Sequence, residues 1–231
     1  MEKKSFQRLA AVLAGTQLFR GIGEEEIPVL LERLGAKENK FSKGEIILRE
    51  GEPTERMGIV ISGRAIIEHS DVWGNNALLG IVAPGAVFAE PYACIPGEPL
   101  LIRVVAAEDT EVLFLNAGRM LRTCTTACVF HERLIRNLLT VCAQKNLQLS
   151  RRILHTSAKT IRGRLMSYFS ECVQKSGSYT FSLPYNRQQL ADYLGVDRSA
   201  MCNELSKMQQ AGLIRCEKSR ITVNRSTDLL D

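Results

Sequence analysis

Arg198, Ser199, Asn203, Ser206 and Gln210 fall on one side of a segment whose other side carries Met201, Leu205 and Met208 at i, i+4 and i+7. The first set are short or forked polar groups with no acid among them, and the chemistry they offer is recognition. Arginine can bond guanine bidentately, asparagine can do the same with adenine, and serine serves a base or a phosphate. Residues near a helix start usually reach base edges, which points first to Arg198, Ser199 and Asn203. Arg187, upstream, is placed for a backbone phosphate. Lys218 and Arg220 sit at the tip of a hairpin pattern running from Leu213 to Val223, where they could touch phosphates or the minor groove.

The elements that must hold these groups are legible beside them. Asn186 can cap a first helix, and Gln189 three residues later completes an Asn-x-x-Gln variant of the capping box. Leu190 and Leu194 share its buried face, Gly195 can take the left-handed conformation that ends it, and Asp197 can cap the next helix. A tight glycine-containing turn between two short helices sets them at the steep angle of a helix-turn-helix. A helical protein-interaction module could use the same caps, so the polar face carries the argument for duplex DNA.

The distribution of charge points the same way. The chain of 231 residues has a net charge of +5. Residues 1–116 hold 12 Lys and Arg against 17 Asp and Glu, whereas residues 117–231 hold 18 against 8. A mildly acidic half joined to a basic half suggests that only the second meets a polyanion. No nucleophile–base constellation or phosphate loop is present: Glu90 stands alone, and His69, His131 and His155 are scattered, which argues against an enzyme. The seven cysteines include no Cys-x-x-Cys, so neither a disulfide scaffold nor a standard zinc finger is expected, and most should be small buried hydrophobes. No apolar run approaches the roughly 20 residues of a membrane span. With no secretory leader either, a cytoplasmic location without membrane association is expected.

Stepwise along the chain, residues 5–36 read as short helices. Leu9, Val12 and Leu13 mark one, and Ile27, Leu30, Leu31 and Leu34 another behind Glu24 to Glu26. From Phe41 to Leu115, short apolar segments alternate with turn residues such as Lys43-Gly44, Ser62-Gly63, Pro84-Gly85 and Pro96-Gly97, the texture of an antiparallel barrel or sandwich. A helical stretch then runs from about Ala117 to about Leu154. Leu121, Cys128, Ile135, Cys142 and Leu149 recur in it every seven residues, with Cys124, His131, Leu138 and Lys145 at the second heptad position. A helix of ~55 Å cannot be packed all round by a small domain, so this seam should pair with its own copy in a two-fold dimer. The alternative is a helix lying along the barrel, which part of it is expected to do as well. The expected organisation is therefore α+β, with a sensor domain over 1–116, a dimerisation helix and hinge over 117–154, and a DNA-binding domain over 155–231.

Taken together, the two halves resemble the cyclic-AMP receptor protein / fumarate-nitrate regulator (Crp/Fnr) family of bacterial transcription regulators. The resemblance spans nearly the whole chain. It rests on Leu18-Phe19-Arg20-Gly21-Ile22, Phe41-Ser42-Lys43-Gly44-Glu45-Ile46-Ile47, Glu50-Gly51, Ile61-Ser62-Gly63-Arg64-Ala65, Pro84-Gly85-Ala86-Val87-Phe88-Ala89-Glu90, and Asn186 to Ile214. It implies a cyclic-nucleotide-binding-type antiparallel β-roll, a long dimerisation helix and a C-terminal winged helix-turn-helix. It also implies a homodimer on a near-palindromic duplex, a small-molecule effector in the roll, and RNA polymerase as a further partner.

The effector region departs from the family's pattern. Cyclic-nucleotide binders carry Gly-Glu-Leu at the start of their phosphate cassette and Arg-Ser or Arg-Thr further on. Here the first reads Ala89-Glu90-Pro91 and the second Leu100-Leu101. A buried phosphate without that guanidinium would be poorly compensated, which argues against cyclic AMP and for another small ligand, for instance an apolar anion. Phe88, Glu90, Leu100, Leu101 and Arg103 are the candidate lining, Arg103 replacing the lost charge only if the strand register differs. A redox- or metal-responsive regulator is the alternative, with Cys124, Cys128 and His131 on successive turns of the long helix. A ligand sensor whose output is a protein contact is another. Metal otherwise has no candidate site, and the cofactor is undetermined.

Overall fold

The computed structural model describes residues 2–70, 76–121 and 129–224, and the chain divides into two compact units, 1–144 and 145–231. In the first unit, α1 (Glu2–Ala14) and α2 (Ile27–Arg33) precede eight strands. The strands are β1 (Lys37–Phe41), β2 (Ile46–Leu48), β3 (Arg56–Ser62), β4 (Ala65–Ser70), β5 (Asn76–Val82), β6 (Val87–Phe88), β7 (Arg103–Ala106) and β8 (Thr110–Asn116), with α3 (Glu90–Cys94) between β6 and β7. They form two four-stranded sheets, ordered β1-β8-β3-β6 and β2-β7-β4-β5. Every strand pair is antiparallel, as expected where no crossover helix long enough for a parallel pair is available.

The turn glycines make this compactness possible. At Gly63, between β3 and β4, φ is +76° and an added Cβ would stand 2.3 Å from the Asp109 carbonyl oxygen. Only a residue without a side chain fits there. Two apolar clusters follow. One lies within the roll around Val60, Phe88, Leu100, Val104 and Phe114; the other joins Leu9, Leu13, Phe19, Ile27 and Leu31 of the helical segments to Met57, Leu113 and Leu115.

The helical stretch after β8 is described as α4 (Ala117–Leu121) and α5 (Val129–Thr156); residues 122–128, with Cys124 and Cys128, lie outside the described residues. The first part of α5 packs on its own unit, as the alternative reading expected. His131 and Leu138 of the expected second seam position are buried in the chain's own interior, together with Leu134 and Val141. A stripe at alternating spacings of four and three runs through Ile135, Leu139, Cys142, Asn146, Leu149 and Ile153; Ile135 and Cys142 are half-buried against the core, and Asn146 is an exposed polar residue. Leu139, Leu149 and Ile153 are 68%, 61% and 66% exposed. A helix with apolar residues on two faces satisfies a heptad in more than one register, and only packing decides which face turns inward.

In the second unit α6 (Ile161–Ser176) is capped by Thr160 and ends at Gly177 in the left-handed region. There follow β9 (Thr180–Ser182), α7 (Arg187–Leu194), α8 (Arg198–Gln210), β10 (Ile214–Glu217) and β11 (Arg220–Val223). The expected hairpin β10–β11 is present and gains β9 as a third strand through the Ile221–Phe181 register. One core unites Leu165, Phe169, Leu190, Leu194, Met201, Leu205, Met208 and Ile221. Among the described residues no helix is long and apolar enough to cross a membrane.

Candidate nucleic-acid interface and candidate effector pocket

The α7–turn–α8 segment is held by the groups its sequence marks. The Asn186 side chain accepts from the Gln189 amide at 2.9 Å, and the Gln189 side chain accepts from the Asn186 amide at 2.9 Å, a complete capping box. Gly195 ends α7 at φ +63°, and Asp197 caps α8 by accepting from the Ala200 amide at 2.8 Å. The turn has a further clamp that periodicity could not show. The Arg164 guanidinium on α6 donates to the carbonyls of Ala158, Leu194 and Gly195 at 2.9–3.0 Å. It occupies carbonyls that the end of α7 leaves without helical partners. Truncation of Arg164 to alanine should lower the unfolding free energy of this unit by about 2–3 kcal/mol, because charge-assisted bonds are lost together. Urea denaturation followed by circular dichroism measures it, and a change within error would remove Arg164 from the framework.

With Met201, Leu205 and Met208 buried, α8 presents Arg198, Ser199, Asn203, Ser206 and Gln210 to the outside, all exposed. The Ser206 hydroxyl donates to the Cys202 carbonyl at 3.1 Å, which leaves it as an acceptor. Glu204, the one acid on α8, is drawn to Arg162 of α6 at 2.7 Å and so does not oppose a phosphate chain. At the wing tip Lys218 holds a left-handed φ of +55°, and both Lys218 and Arg220 are exposed. The Arg187 guanidinium is partly engaged within its own unit. Its Nη2 donates to the Lys218 carbonyl at 3.3 Å and Nη1 is buried, with Cys216 beside the guanidinium. It ties the start of α7 to the wing.

His155, read from sequence as one of three scattered histidines, is central to this unit. It is buried, with Nε2 2.7 Å from a Glu171 carboxylate oxygen and Nδ1 2.9 Å from the Tyr193 hydroxyl. Burial lowers its pKa from the ordinary 6.5, and the attraction of Glu171 only partly offsets that; Lys175 and Arg151 add to the lowering. The neutral ring then donates from Nε2 to the carboxylate and accepts from the tyrosine at Nδ1. For Glu171 burial acts upward, but the hydrogen bond and charge of Lys175, with the charge of Arg151, outweigh it and hold the carboxyl below its usual range. The folded histidine resists protonation while the unfolded one does not, so its contribution to stability is complete above about pH 6.5 and declines as pH falls below it. Thermal melts from pH 8 to pH 5 should show this unit weakening from about pH 6.5 downward. The slope in that window should flatten in His155→Gln; an unchanged slope would contradict the assignment.

In the β-roll the five candidate lining residues do not converge. Phe88 and Leu100 are buried in one apolar cluster, and the Phe88 ring lies so close over Gly58 that a Cβ there would be 2.1 Å from it. Glu90 is buried at the start of α3, behind Ala89, which adopts φ +59° at the place where the family's pattern has glycine. Leu101 faces out, 63% exposed, and does not line the interior. Arg103 is excluded by register: Val104 and Ala106 are buried, so Arg103 points to the other face, where its Nε donates to Glu68 at 2.8 Å. Around Phe88 and Leu100 the interior is apolar, and among the five residues no guanidinium replaces the missing one.

His131 donates from Nε2 to the Met120 carbonyl at 2.6 Å, and that nitrogen is therefore closed to a metal. Among the described residues no group of three or more His, Cys, Asp or Glu is arranged to hold an ion.

Comparison with known proteins agrees with this architecture. Residues 38–127 match the family model "Cyclic nucleotide-binding domain" and residues 163–231 match "Crp-like helix-turn-helix domain". The chain is similar to a "CRP-like cAMP-activated global transcriptional regulator" of Mycobacterium tuberculosis, 22% identical over 94% of this chain and 96% of that one. It is also similar to a "Cyclic AMP receptor protein" of Thermus thermophilus, 23% identical over 93% of this chain and 95% of that one. Among solved structures, "OCPA complexed CprK" superposes with a TM-score of 0.61 at 17% identity, covering 84% of this chain and 90% of that one, a likeness of fold.

Proposed function

The chain belongs to the Crp/Fnr family of DNA-binding transcription regulators with an effector-binding domain, and from that premise we propose that it acts as a homodimer whose two α8 helices read a near-palindromic duplex under control of a small effector other than cyclic AMP. The observation that carries the reading is the outer face of α8, where Arg198, Ser199, Asn203 and Ser206 are exposed with no acid among them while the opposite face is locked in the core. Arg198 and Asn203 near the helix start read bases, Ser199 and Ser206 contact bases or phosphates, and Lys218 and Arg220 of the wing contact the backbone. The dimer joins through the exposed apolar positions of α5, Leu139, Leu149 and Ile153. Residues 1–116 serve as the sensor, 117–154 as the dimer helix and hinge, and 155–231 as the DNA-binding domain.

The case against cyclic AMP rests on residues of the roll. Leu100-Leu101 stands where the nucleotide binders place arginine and a hydroxyl, and Arg103 is turned away toward Glu68. A buried phosphate there would lack its counter-charge. An apolar ligand suits the Phe88 and Leu100 surroundings better.

Selection of bound duplexes from a random pool by the purified chain, with and without cyclic AMP, tests the reading. The expected product is a sequence with two-fold symmetry, selected equally well in both conditions, whose affinity falls steeply with salt as phosphates are engaged. Absence of any enriched sequence would favour an output through protein contact.

A further inference from the structure

Away from α8 and from the roll, the second unit contains a cavity of about 700 Å³ that none of the recognition chemistry uses. That volume lies within the range of small-molecule sites. Its walls hold Tyr168, Phe181, Tyr185 and Tyr193, so three of the chain's five tyrosines meet at one place. Tyr185 and Tyr193 are stacked, with ring centroids 5.4 Å apart and planes 27° from parallel. Arg151 and Lys175 are also in the lining, and both pair with the single carboxylate of Glu171, Arg151 at 3.4 Å. His155 shares that carboxylate and is kept neutral by burial, so the site holds two cations against one anion.

We propose that this cavity is a second ligand site, separate from the β-roll, and that it takes a planar aromatic carboxylate. The ring would lie against the tyrosine wall, where stacked aromatic pairs are favoured, and the carboxylate would answer the positive charge that Glu171 leaves uncompensated. A cationic ligand is disfavoured because Glu171, its only acidic partner among the described lining residues, is already approached by Arg151, Lys175 and His155. A saturated apolar ligand would leave the excess charge unmet. Because Tyr193 belongs to α7 and Arg152 donates to the Asp192 and Tyr193 carbonyls, an occupant would rest directly on the first helix of the DNA-reading pair.

The test uses the full-length chain and 2-naphthoate as probe, with 2-naphthylmethylamine and cyclohexanecarboxylate as controls. Calorimetry should give saturable binding of 2-naphthoate only. Cys172 lines the cavity, so its alkylation by N-ethylmaleimide, located by peptide mass spectrometry, should slow several-fold at saturating probe while Cys94 is unaffected. Lys175 is largely exposed, and Lys175→Glu should therefore fold and bind about tenfold more weakly, whereas Lys175→Arg keeps the affinity. No saturable binding, equal binding of the amine, or an unchanged rate at Cys172 would overturn the proposal; the last would place the probe elsewhere in the chain.

Discussion

Alanine at Arg198 lowers affinity for the selected duplex by about 1–3 kcal/mol and relaxes the preference at one base pair of each half-site; alanine at Asn203 does the same at another. Both side chains are exposed on α8 and are not part of its buried stripe, so neither change should disturb folding. In the proposed complex the loss would come from bidentate base contacts, and it should therefore vanish against an unrelated duplex, where only phosphates are bound. Since about 1.4 kcal/mol is a factor of ten, competition with selected and scrambled DNA resolves the effect easily. Equal losses on both duplexes would make these residues phosphate contacts and would leave base reading to other groups. Lys218→Ala supplies the contrast: it should weaken both duplexes alike and reduce the salt slope by about one.

The second large effect concerns assembly. Leu149→Asp combined with Ile153→Asp should convert the protein to a monomer in sedimentation, and affinity for the full site should collapse toward that for a half-site. Both side chains are exposed in the single chain, so the acids meet water in the monomer and the fold survives. In the proposed dimer each would face its own copy across the two-fold axis, and both apolar burial and like-charge repulsion act against pairing. Burying one such side chain contributes about 1.5–3 kcal/mol, and the dimer holds two copies of each. Persistence of the dimer would move the interface off this stripe. In the proposed dimer Asn146, in the middle of this stripe, would be the polar seam residue that sets register, so Asn146→Leu should keep the dimer while loosening its alignment.

What could be read in advance depended on how local the cause was. The capping box at Asn186 and Gln189, the left-handed Gly195 and the Asp197 cap involve neighbours within a turn of one another, and all are present as expected. The buried faces of α2, α7 and α8 follow from helical periodicity alone. The loss of the nucleotide's arginine was visible as a missing residue, but whether Arg103 could replace it depended on strand register. Arg164, Arg187 and His155 act on partners some thirty residues away or at spacings with no pattern, and composition offers no signal for them. The tyrosine-lined cavity was invisible for the same reason.

The helix-turn-helix and the character of its outer face were determined by the sequence itself, because short-range caps, a turn and a 3.6-residue period specify them without reference to the rest of the chain. The tertiary structure decided which face of α5 is free. Its heptad is satisfied in two registers, and only the packing of His131, Leu134, Leu138 and Val141 against the chain's own core leaves Leu139, Leu149 and Ile153 outward. A one-dimensional pattern marks which residues avoid water; it cannot say whether the surface that covers them belongs to the same chain or to another.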